Sequence, residues 1–172
     1  MMRPAPAEFA RPVDIARLAP GETVFDIAAT PTECAALARR FALLGIDRLA
    51  ARVGIERIEG GLVRVIAEFS AAVVQECVVT LEPVASTLSE QVTLLFSEAG
   101  DAPEALVLSA EAEPIEPISG GIIDIGEAVA QQLSLALDPY PRAPGAAAAL
   151  PDAIAENKGS AFAALAKWKE RG

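Results

Sequence analysis

Two periods of hydrophobic residues alternate along this chain, and each switch marks an element. "ETVFDIAA" (22–29) has strand character. "TPTECAALARRFAL" (30–43) then opens a helix, with Thr30 as cap, Pro31 at the first helical position and Glu33 three residues after the cap. Ala36, Leu37, Arg40, Phe41 and Leu44 continue at helical spacing, and Gly45 is placed to end it. From Asp47 the period falls to two. Leu49, Ala51, Val53 and Ile55 share one face, with Arg48, Arg52 and Glu56 on the other. "IEGGL" (58–62) reads as a hairpin turn.

The next stretch keeps one parity for an unusual distance. Odd positions from Val63 to Leu81 are apolar except Gln75, which predicts one long strand, bent near Ser70 to Ala72 and broken by Pro83. Such length favours a sheet that wraps toward a barrel. "STLSEQVTLLF" (86–96) alternates again, "SEAGDAPEA" (97–105) is a surface loop, and 105–121 holds a short strand followed by a Pro-rich acidic approach. Asp124 then precedes a helical pattern with Glu127 three residues later, a capping box, and Val129, Leu133, Ala136 and Leu137 form its buried stripe. The expected fold is α+β: a curved, barrel-like antiparallel sheet of about five strands, two packed helices and a C-terminal tail helix.

Pro139 and Pro141 end the second helix, because a residue before proline avoids helical geometry. The expected organisation is one α+β domain over 1–141, a flexible Ala/Pro/Gly linker over 142–159 and a short amphipathic motif over 160–172. In that motif Ser160 can cap a helix that sets Phe162, Leu165 and Ala166 on one face, flanked by Trp168 and Lys169. About ten residues cannot hold a helix alone in water. The motif must dock on its own body or on a partner, or else fray.

Charge alters this picture. The chain has 24 acidic and 14 basic residues and a net charge of −10, which disfavours bulk binding to DNA or RNA phosphates. All three lysines (Lys158, Lys167, Lys169) lie near the C-terminus, so an acidic body precedes a slightly basic tail. No apolar run approaches the ~18 to 20 residues of a membrane span, and the N-terminus has no secretory h-region, so the expected location is cytoplasmic.

Catalytic chemistry is scarce. Without histidine there is no Ser-His-Asp or Cys-His arrangement. Two cysteines, Cys34 and Cys77, cannot supply a closed zinc site and read as buried thiols. "SGGIIDIG" (119–126) is a turn rather than a dinucleotide fingerprint. Glu113 and Glu116, between prolines, read as loop charges rather than paired catalytic carboxylates. The expectation is a protein that is not an enzyme and needs no cofactor or metal.

Several segments together resemble the YceD family: "VVQECVVTLEPV" (73–84), "GGIIDIGEAVAQQLSLALDPYPRAPGA" (120–146) and "SAFAALAKWK" (160–169). "LARRFALLGIDRLAARVGIERI" (37–58) is similar to the alphaproteobacterial form, and the likeness runs from Phe9 to Lys169. The resemblance implies a bacterial cytoplasmic protein needed for normal accumulation of large-subunit ribosomal RNA, with no established enzymatic activity. Many relatives carry Cys-x-x-Cys where this chain has Cys77-Val-Val-Thr80, so no metal or redox role of that pair carries over.

Charge and resemblance agree on a factor that acts through a ribosomal protein or ribosome-assembly factor, touching ribosomal RNA only indirectly. The candidate contact residues are Glu111, Glu113 and Glu116 in the acidic approach and Phe162, Leu165 and Trp168 in the tail. The alternative is direct RNA binding through Arg39, Arg40, Arg48, Arg52 and Arg64, and a carboxylate hydrolase is a distant third.

Overall fold

The unbroken parity of residues 63–73 is the spine of the fold. In the computed structural model, which describes residues 7–98 and 115–146, the strands are β1 (Pro12–Asp14), β2 (Thr23–Ala28), β3 (Gly45–Arg57), β4 (Leu62–Glu76), β5 (Pro83–Glu98), β6 (Ile115–Ile118) and β7 (Ile122–Asp124). The helices are α1 (Pro31–Arg40) and α2 (Ile125–Ala136), with 3-10 turns at Ile15–Arg17 and Glu59–Gly61. Strands β2 to β6 lie in sequence order in one sheet, while β1 and β7 pair separately.

Every odd residue of β4 from Val63 to Val73 is buried. Together with Leu49, Val53 and Ile55 of β3 they form the floor on which the helices lie. Cys34 and Leu37 of α1, and Ile125, Val129 and Leu133 of α2, close the core with Phe9 and Ile15. Ala136 and Leu137 pack at its edge, completing the expected stripe.

The sheet does not close into a barrel, and it is not wholly antiparallel. β6 joins β5 in parallel, only from Leu95 to Glu98, so it extends one end of the sheet instead of meeting β2. The expected bend has its irregularity on the neighbouring strand: the β3–β4 register shifts between Ile46 and Arg48, opposite Val73 and Ala72. β4 stops at Glu76, short of the expected Leu81. Residues 77–82 instead make a tight turn in which Cys77 N–H donates to the Glu82 carbonyl and Leu81 N–H to that of Cys77. Pro83 therefore begins β5 rather than breaking β4.

Helix α1 starts as expected, with a full capping box between Thr30 and Glu33. It ends earlier than Gly45. Ala42 takes the left-handed conformation (φ 54°), its N–H donates to Arg39, and the Leu43 N–H donates to Ala38. This is a Schellman motif built on alanine, so the residue type gave no signal of it. At α2 the capping box is half made. Asp124 Oδ1 accepts from the N–H groups of Gly126 and Glu127, but the Glu127 carboxylate pairs with Arg40 instead of turning back. The tail helix, the linker beyond 146 and the short strand expected before Ile115 lie outside the described residues. Among those described, no helix is long and apolar enough to cross a membrane.

Candidate interaction surface

The segment after α2 is held to the β4–β5 turn by three hydrogen bonds. Gln75, the one polar break in the β4 parity, donates through Nε2 to the Asp138 carbonyl at 2.9 Å. Val78 N–H donates to the Pro141 carbonyl at 2.9 Å, and Ala143 N–H donates to the Cys77 sulfur at 3.2 Å. The first and third satisfy polar atoms of the buried residues Gln75 and Cys77. The chain thus stays against the turn as far as Ala143, inside the stretch expected to begin the linker.

This arrangement leaves a groove of about 500 Å³, lined by Phe41, Leu43, Gln75, Val78, Leu135 and Pro139 among others. Leu135 is 77% exposed and Tyr140 71%, and Leu44, Val78 and Val79 around the same end are exposed as well. Leu81 is 66% exposed and held at φ 62°. A bulky apolar residue in that conformation is strained, and strain of this kind gathers at functional surfaces. Among the described residues, the charged ones lining the groove are Glu76 and Asp138, both acidic. An apolar strip with an acidic border suits a basic amphipathic segment.

Cys77 lies in sequence between the groove residues Glu76 and Val78 and has no exposed surface. The Thr80 side chain, then the Ala143 N–H, bring its thiol down to about 7 against the opposing effect of burial. Thr80 stands where a second thiol would be needed. Among the described residues no three Cys, Asp or Glu side chains gather to hold a metal.

Of the five arginines considered for RNA, Arg48, Arg52 and Arg64 lie on the sheet's outer face, and Arg39 and Arg40 lie at the end of α1. Arg52 pairs with Asp26 at 3.4 Å, Arg64 with Glu56 at 2.6 Å, and Arg48 donates to Ser70. In register, Asp26, Arg52 and Glu68 form a cross-strand row of alternating sign. A depression of about 520 Å³ on this face is bordered by the same row. Arg40 is engaged by Glu8 and Glu127 on the opposite side of the sheet. The structure therefore disperses these arginines, and it meets Arg40, Arg52 and Arg64 with carboxylates and Arg48 with a hydroxyl.

Of the expected contact residues, Glu116 lies half-buried on β6, opposite Phe96. Glu111, Glu113, Phe162, Leu165 and Trp168 lie outside the described residues. Sequence does not mark the groove as a site, because Leu135 and Val78 occupy positions that periodicity assigns to an ordinary helix and strand. Gln75 interrupting an apolar parity was the available signal.

The start of α2 explains a cluster of motif residues. Asp124 Oδ1 accepts from the Arg11 N–H at 2.7 Å as well as capping the helix. A Cβ on Gly126 would fall on the Phe9 carbonyl oxygen, so glycine permits the N-terminal segment to lie across the helix. Glu127 binds Arg40. These residues join three parts of the fold.

Fold and surface together define a small α+β protein with a one-sided sheet and an apolar groove. The chain belongs to the YceD family: the family model described as "Large ribosomal RNA subunit accumulation protein YceD" matches residues 65–169. No curated protein and no solved structure matches it.

Proposed function

We propose that this protein is a non-catalytic cytoplasmic factor that supports large-subunit ribosomal RNA accumulation through contacts with a basic protein, a ribosomal protein or an assembly factor. Family membership supports the ribosomal role. The observation that carries the choice of protein over RNA is the state of the arginines. Three of the five candidate arginines, Arg40, Arg52 and Arg64, are paired with carboxylates of the same fold, in a chain of net charge −10. Phosphate binding would have to displace those carboxylates and overcome the repulsion of the whole body. A basic protein meets no such barrier, and acidic surfaces speed such encounters.

The test is affinity capture of the full chain from cell extract, with and without RNase. Association with ribosomal proteins that survives RNase and weakens with salt supports the reading. Association abolished by RNase assigns the protein to direct RNA binding instead.

A further inference from the structure

We infer that the groove between the β4–β5 turn and the end of α2 is the seat of this chain's own C-terminal segment, residues 160–169. The inference is independent of the ribosomal reading. The groove's described lining is mainly apolar, with Val78, Leu135 and Pro139 among it, and its charged members are Glu76 and Asp138. The segment "SAFAALAKWK" offers the complement. At helical spacing Phe162 and Leu165 share a face, and Lys167 and Lys169 follow them. From Lys158 to Gly172 there are four basic residues against one glutamate, the reverse of the body's balance.

Chain geometry makes this occupant the favoured one. Pro141 lines the groove, Ala143 donates to Cys77 between the groove residues Glu76 and Val78, and the described chain runs on to Ala146. Thirteen residues, 147–159, separate that point from Ser160. A stretch of that length reaches at most about 45 Å and averages ~20 Å as a flexible coil. Either distance allows return to the groove. A tether so short supplies a local concentration in the millimolar range, which a second copy or a dilute partner does not match. A segment too short to be helical alone gains the surface it needs.

Trp168 is the chain's single tryptophan, so intrinsic fluorescence of the full-length protein reports this segment alone. The expected result is a blue-shifted emission, unchanged on dilution, that moves to the water-like position in Leu135→Glu and Val78→Glu. Both side chains are exposed, so both variants should keep the native circular dichroism spectrum. Water-like emission in the unmodified protein overturns the inference. Blue-shifted emission lost on dilution overturns it in favour of a second copy, and a blue shift retained in both folded variants places the segment elsewhere. Capture of ribosomal proteins is read separately, so either proposal can fail without the other.

Discussion

The guanidinium of Arg40 grips both carboxylate oxygens of Glu127, at 2.8 and 2.7 Å, across 87 residues of sequence. The same guanidinium reaches Glu8 at 3.0 Å, so the end of α1 is tied to the start of α2 and to the N-terminal segment. Bidentate geometry and partial burial lift this pair above an ordinary surface bridge. Arg40→Ala should lower stability by about 1–2 kcal/mol in urea denaturation. Lysine should recover only part of the loss, since it cannot match the planar fork. A double-mutant cycle with Glu127→Ala should show a coupling energy of at least ~0.5 kcal/mol; additivity would mean the bridge contributes nothing.

Acid should loosen the fold through Glu33. Arg11 donates to both its carboxylate oxygens, at 2.8 and 3.0 Å, and holds its pKa down at about 2 from an ordinary 4.5, with burial opposing. In that window the unfolded chain binds a proton that the folded chain excludes, so stability rises with pH there. The contribution is complete above the ordinary value and is lost as pH falls toward about 2. Glu127, also lowered by Arg40, acts in the same direction. Urea midpoints measured across this range should fall with pH, and Glu33→Gln should flatten part of the slope. An unchanged slope would mean that Arg11 does not hold Glu33 in solution.

Asp124 caps α2 and fixes Arg11 with one oxygen, accepting three backbone N–H groups. A lost cap alone costs ~1 kcal/mol. Losing the bond to the Arg11 N–H as well should bring Asp124→Ala to about 2 kcal/mol. Asn retains an acceptor oxygen and should be nearly neutral. If Asn destabilises as much as Ala, the carboxylate charge matters and the capping account is wrong.

These three contacts show where reading residues in order stops. Thr30 and Glu33 are three apart, so their capping box is local and legible, as is the parity of β3 and β4 that sets the core. Arg11 with Glu33, and Arg40 with Glu127, are distant pairs that no period encodes. Barrel closure failed for a related reason: parity fixes which face of a strand is buried, but not which strand lies beside it. The parallel seat of β6 on β5 joins strands sixteen residues apart in sequence, a pairing that no local period encodes. The groove was illegible because it arises where a helix exit meets a turn. Only Gln75 hinted at the contact.

Ala42 offers a simple check of the early end of α1. A left-handed alanine costs ~1 kcal/mol that glycine avoids, although glycine gives back some of this in unfolded-state entropy. Ala42→Gly should therefore raise the urea midpoint slightly, by about 0.5 kcal/mol of stability. A loss instead would mean that residues 41–43 do not form the Schellman turn.

Cys77 sets thiol acidity against access. Its pKa near 7 would make an exposed cysteine fast to alkylate at mildly alkaline pH, yet its side chain has no contact with solvent. Burial should win, because a reagent must reach the sulfur whatever its charge. Under native conditions iodoacetamide should leave Cys77 unmodified, and denaturant should release it together with Cys34. Thr80→Val removes the leading cause of the lowered pKa, so a titration of thiolate absorbance should shift upward while native protection stays. Labelling of the folded protein at the unfolded rate would show that the turn opens freely. A groove built on that turn, with Val78 bonded to Pro141 and Ala143 to Cys77, could not then persist long enough to hold any segment.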